Sequence, residues 1–116
     1  MRPDERDAAY LWDIMEAAQH IIDFVSELRF FDYERNRMVQ AAVEREIEII
    51  GEAARRLSNE FRVEHDSIPW RGMIAQRNVL AHEYGEIRQE RIWAVAKDRI
   101  PELLEAIKPL LPPIPE

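Results

Sequence analysis

Apolar residues recur at intervals of three and four along almost all of this 116-residue chain, and that period leaves few folds open. Leu11, Ile14, Ala18, Ile21, Val25 and Leu28 fall on one side of a helical wheel, and Val39, Val43, Ile47, Ile50, Ala54 and Leu57 do the same further on. No alternating run of useful length accompanies them, so no strand is expected and the class is all-α. The pattern predicts a first helix over about 7–30 and a second over about 33–57, with Asp32 as its N-cap. Two long helices joined by a short turn favour an antiparallel pair. "SNEFRVEHDSIP" reads as a loop, and Pro69 sits where a helix over about 70–81 would begin, its missing N–H harmless in a first turn. Gly85 offers a C-terminal stop. A last helical stretch covers about 88–110, and Pro101 must kink or restart it near Asp98. The tail from 110 to 116, "LLPPIPE", is expected to lie extended. The expected architecture is an up-and-down antiparallel bundle of four to five helices.

The length fits a single domain over 1–116, large enough to bury roughly two thirds of its unfolded surface. The absence of cysteine excludes disulfides, thiolate metal sites and thiol catalysis. No run approaches the about 18 apolar residues of a membrane span, and the charged start "MRPDERDAAY" has no secretory h-region. A cytoplasmic protein is expected. The net charge of −7 argues against a general nucleic-acid coat. Charge is uneven, however. Between Ser67 and Arg99 there are six basic and four acidic residues, a balance of +2 that leaves −9 for the rest.

That stretch contains "RNVLAHEY", residues 77–84. Arg77 and His82 are five apart, about 140° around a regular helix, so direct contact within one helix is poor. Either the helix ends at Ala81 and His82 swings round, or two copies face each other across a twofold axis and share a cleft. Histidine exchanges a proton near neutral pH, and arginine is a fixed cation that clamps phosphate. Together they suit RNA cleavage without a metal. A base takes the 2′-OH proton, the 2′-oxygen attacks phosphorus, and a guanidinium offsets the growing charge. Asn78 could orient Arg77 or a phosphate. A bland reading is also open, in which Arg77 forms a surface ion pair and His82 caps a helix C-terminus.

Other candidates are weaker. Gly51 lies inside the second helix, where it costs about 1 kcal/mol relative to alanine, which suggests close approach of another helix or a ligand. Glu52 beside it is either a support for Arg77 or a solvated glutamate. Glu44, Glu48 and Glu52 share a helix face, but no histidine sits at ligand spacing among them, so a solvated acidic face is expected and no metal. Glu16 with His20, and Glu64 with His65, form no ligand set. Trp70 and Trp93 could stack on bases but lie on apolar faces that suit packing.

"RNVLAHEY" fits the Arg-x4-His-x-Tyr motif, and here the sequence resembles the HEPN superfamily and, within it, the HepT-like toxin branch. "REIEIIGEAARRLS" (45–58), "IPWRGMIAQRNVLAHEYGEI" (68–87) and "IWAVAKDRIPELL" (92–104) resemble that branch's second, third and last helices. The resemblance implies a homodimeric helical bundle and a metal-independent endoribonuclease with no cofactor, in which Arg77 and His82 are the catalytic pair. It further implies the toxin of a toxin–antitoxin pair. Its partner would be a minimal nucleotidyltransferase antitoxin that adds AMP to Tyr84, placing bulk and negative charge two residues from His82. The competing expectation is a helical interaction module that docks this transferase and accepts AMP at Tyr84, with little nuclease activity of its own.

Overall fold

A computed structural model gives the fold, and it describes residues 4–82 and 89–112, with the side chains of 78–82 outside that description. No strand occurs among the described residues, so the chain is all-α. Helix α1 spans Glu5–Val25, α2 Phe30–Tyr33, α3 Arg37–Arg56, α4 Asn59–Glu64, α5 Trp70–His82, α6 Gln89–Ala94 and α7 Ile100–Ile107.

The two long helices run antiparallel, as their side-chain contacts show. Asp7 at the start of α1 meets Ser58 just beyond α3, and His20 meets Glu46 midway, with Nδ1 and Oε1 3.3 Å apart. The Asp7 tie is nearly sealed from water. Its carboxylate accepts the Ser58 N–H at 2.8 Å and the Ser58 hydroxyl at 2.6 Å, and the same hydroxyl accepts the Phe61 N–H as the N-cap of α4. Leu11, Ile14 and Ile21 of α1, Val43 of α3, Ile92 of α6 and Ile107 of α7 are wholly buried in one core. Each contributes about 1.5–3 kcal/mol by leaving water. Helix α5 packs on α3, while α7 packs on α1.

Several boundaries differ from those the sequence suggested. Helix α1 ends at Val25 rather than Phe30, because residues 30–33 form their own turn. Asp32 is not the cap of the second long helix. It sits inside α2, where its carboxylate accepts the Arg29 N–H at 3.0 Å. Asn36 caps α3 instead, accepting the Val39 N–H at 3.1 Å. The segment expected as a loop holds α4, started by Ser58. The sequence places a break near Asp98, and the structure shows how it is made. Pro101 lacks an N–H and its ring would strike the Lys97 carbonyl of a regular helix. The ladder widens to a π-turn over Val95–Arg99, with the Ile100 N–H reaching Val95 O. The tail makes a 3₁₀ turn over Lys108–Leu110 before Leu111 turns extended. The expected stop at Gly85 and the end of the tail, 113–116, lie outside the described residues.

Candidate functional site

The site begins with the glycine inside α3. A Cβ built on Gly51 would collide with the Arg77 side-chain stem and would lie 2.9 Å from the Met73 carbonyl. Gly51 is therefore a notch that seats α5 at Arg77. The residue after the notch holds the guanidinium. Arg77 Nη2 lies 3.4 Å from Glu52 Oε2, with both side chains about one-third exposed.

Glu52 serves two further arginines of its own helix. Arg55 Nη2 donates to it at 2.9 Å and Arg56 Nε at 2.8 Å. Hydrogen bonds from Arg55 and then Arg56 hold the Glu52 carboxyl down to about 2, so it is ionised at neutral pH. Three guanidinium groups gather on one carboxylate in a chain whose net charge is −7. Burial is shallow, so water screens these pairs, and their value here is positional rather than stabilising.

Beside Arg77 opens a cleft of about 250 Å³ between α1, α3 and α5. Tyr10, Ile49 and Ala53 line its apolar part, and Arg45, Arg56 and Arg77 stand around it. Glu52, and after it Tyr10, push the Arg56 guanidinium up from its ordinary value. Asp13 and Glu48 complete the wall. Burial, followed by the charge of Glu16, pushes the Asp13 carboxyl up.

The other candidates divide cleanly. The acidic face expected on α3 is partly solvated and also partnered. Glu44, Glu48 and Glu52 are half-buried and each is engaged, Glu44 with Gln89, Glu48 with Arg45 at 3.5 Å, and Glu52 with its arginines. Burial is the main force pushing the Glu44 carboxyl up. Among the described residues no group of acidic and histidine side chains is arranged to hold a metal. Trp70 is buried against Phe61, and its indole N–H donates to the His65 carbonyl at 3.0 Å. Trp93 packs on Tyr33 at 5.1 Å between ring centroids and on Phe30 at 6.1 Å. Both tryptophans are packing residues.

Helix α5 continues through His82, one residue beyond the end the sequence suggested. The Cα atoms of residues 77 and 82 are thus about 140° apart around its axis. The side chains of Asn78 and His82, and the whole of Tyr84, lie outside the described residues. Tyr10, Arg45 and Arg56 are the cleft residues that sequence reasoning missed. Tyr10 reads as a stripe residue of α1. Arg56 had a detectable signal in its i,i+4 spacing from Glu52.

Comparison with known proteins places this geometry in context. The family model described as "Ribonuclease HepT-like" matches residues 14–110. A protein of Methanocaldococcus jannaschii named "Putative RNase MJ1380" is 35% identical over 100 residues, covering 86% of this chain and 92% of its own. A protein of Thermococcus cleftensis named "Probable ribonuclease HepT" is 40% identical over 94 residues, covering 81% and 86%. No solved structure matches. With the family model spanning most of its length, and Gly51, Glu52 and Arg77 joined in the region matched, the chain belongs to the HepT-like ribonuclease family.

Proposed function

We propose that this protein is a metal-independent endoribonuclease toxin in which Arg77 and His82 act on one scissile phosphate. The observation that carries the reading is the seating of Arg77. A glycine, unfavourable inside a helix, stands where it admits the Arg77 stem, and the next residue holds its guanidinium. A surface arginine needs neither provision. Arg77 offers two donors to the phosphoryl oxygens and offsets their charge as it grows. His82 takes the 2′-OH proton as the 2′-oxygen bonds to phosphorus. The bond to the 5′-oxygen breaks, and that oxygen takes up the proton that His82 returns after accepting it from the 2′-OH, which leaves His82 neutral again. The products are a 2′,3′-cyclic phosphate and a 5′-hydroxyl. Asn78 aids in orienting Arg77 or the phosphate.

The backbone of α5 keeps residues 77 and 82 on different sides of one helix, which favours a homodimer whose two copies share a cleft. An open apolar groove of about 610 Å³ supports this reading. It runs between α5 and the α6–α7 arm, where Met73 and Val95 offer a face for a second copy. The toxin's partner is a minimal nucleotidyltransferase that adds AMP to Tyr84, so that added phosphate repels RNA beside His82. The cytoplasm, where RNA is substrate, is the site of action.

Cleavage of mixed RNA by the wild type, Arg77→Ala and His82→Ala, with EDTA present, tests this. The wild type should cut RNA but not DNA, leaving cyclic phosphate ends, and both variants should lose at least about a hundredfold. A wild type inert to every RNA pool, whose Tyr84 still accepts AMP from the transferase, would leave the interaction module as the function.

A further inference from the structure

We propose that the cleft between α1 and α3 is a nucleobase subsite. One base of single-stranded RNA stacks on Tyr10 there, while Arg56 and Arg77 hold the adjoining phosphate. The inference deepens the reading of Arg77 as a phosphate contact and rests on it.

Size comes first. The cleft measures about 250 Å³, below the roughly 300–1,000 Å³ of pockets that enclose drug-sized ligands, so it suits one ring system rather than a whole nucleotide. Its walls have two characters. Tyr10, Ile49 and Ala53 present apolar surface, while Arg45, Arg56 and Arg77 supply cations. Tyr10 is the aromatic residue on the cleft wall, and it takes part in no ring pair among the described residues, whereas Tyr33 packs on Trp93 and Phe61 on Trp70. A half-buried phenol ring beside apolar surface, with arginines among the charged groups of the cleft wall, is the combination that single-stranded nucleic acid uses.

Charge then fixes which part of a nucleotide goes where. Asp13 and Glu48 share the wall with Tyr10 and repel a phosphate from the interior. The cations are densest instead at Glu52, where Arg55, Arg56 and Arg77 converge. A phosphate arriving there exchanges places with the Glu52 carboxylate in the grip of Arg56 and Arg77, and these exposed pairs are weak enough to yield. The base is thus directed into the cleft and its phosphate to the arginines.

Fluorescence anisotropy with a fully 2′-O-methylated single-stranded RNA tests the subsite without requiring cleavage. The full-length wild type should bind it. Tyr10→Ala should bind about tenfold or more weakly while circular dichroism shows it still folded, and Tyr10→Phe, which keeps the ring and loses only the hydroxyl contact with Arg56, should bind within about threefold of wild type. In the unaltered protein, light-induced cross-linking of an RNA carrying 5-iodouridine should mark the peptide containing Tyr10, so the test survives if Tyr10→Ala folds poorly. Millimolar AMP or UMP should displace the oligonucleotide poorly. The proposal is overturned by Tyr10→Ala binding within twofold of wild type, by Tyr10→Phe failing as badly as alanine, or by cross-links confined to other peptides. Displacement by a mononucleotide as effective as by RNA would make the occupant a small nucleotide instead. None of these readouts depends on His82. A wild type that binds at Tyr10 yet never cuts would refute the nuclease and leave the subsite standing.

Discussion

Gly51 shows how a single missing methyl group sets the position of a guanidinium. It sits inside a 20-residue helix, where replacing glycine by alanine ordinarily gains about 1 kcal/mol. Here the added methyl would occupy the place of the Arg77 stem and crowd the Met73 carbonyl at 2.9 Å. One contact is with backbone, so a rotamer change cannot relieve it, and α5 must shift. Overpacking of this kind costs about 1–3 kcal/mol, which outweighs the helix gain. Gly51→Ala should therefore lower the melting temperature by a few degrees and reduce RNA cleavage by more than the loss of folded protein explains. A variant as stable and active as wild type would mean that α5 slides without cost to Arg77. The anomaly was visible in the sequence, since glycine inside an amphipathic helix invites the question of what approaches it. The identity of the approaching residue was not, because Gly51 and Arg77 are 26 positions apart and only folding brings them together.

At the scale of the helices, the junction of α3 with α4 rests on a polar tie rather than on apolar packing alone. Ser58 has two tasks. Its hydroxyl accepts the Phe61 N–H to start α4, and its N–H and O–H both donate to buried Asp7. Ser58→Ala removes a cap and strips one donor from a carboxylate that is 4% exposed. Loss of the cap costs about 1 kcal/mol, and a poorly satisfied buried carboxylate adds about 1–3 kcal/mol. Urea unfolding should show Ser58→Ala destabilised by roughly 2–4 kcal/mol, with much of that cost absent when Asp7 is already alanine. Additive losses in the double variant would mean the tie carries little energy. The sequence hid this junction for a physical reason. Helix α4 has six residues, too few to display a period, and its capping serine precedes polar residues that read as loop. The long helices were legible because their stripes repeat over five or more turns. The π-turn was legible in place but not in kind, since proline forbids a regular helix there without saying how the ladder reopens.

For the whole molecule the question is how an acidic chain engages a polyanion. A net charge of −7 repels RNA at long range, so binding must come from a small region where arginines gather. The cleft supplies three, Arg45, Arg56 and Arg77, and the carboxylates of Asp13, Glu48 and Glu52 limit how much of that charge is felt. Each phosphate neutralised on a single strand adds about −0.7 to the slope of log affinity against log salt. One phosphate at the arginines, with at most one more beside it, predicts a slope between about −0.7 and −1.4. Titrating single-stranded RNA from low to moderate salt measures it directly. A slope much steeper than that would mean a long cationic track, contrary to the charge map, and would move the substrate path away from the cleft. A slope near zero would show that no phosphate is neutralised on binding, which an arginine-based site cannot accommodate. The predicted value in between describes a protein that reads one short stretch of chain, stacks a base beside it and holds one phosphate for attack, while its acidic surface keeps other RNA at a distance.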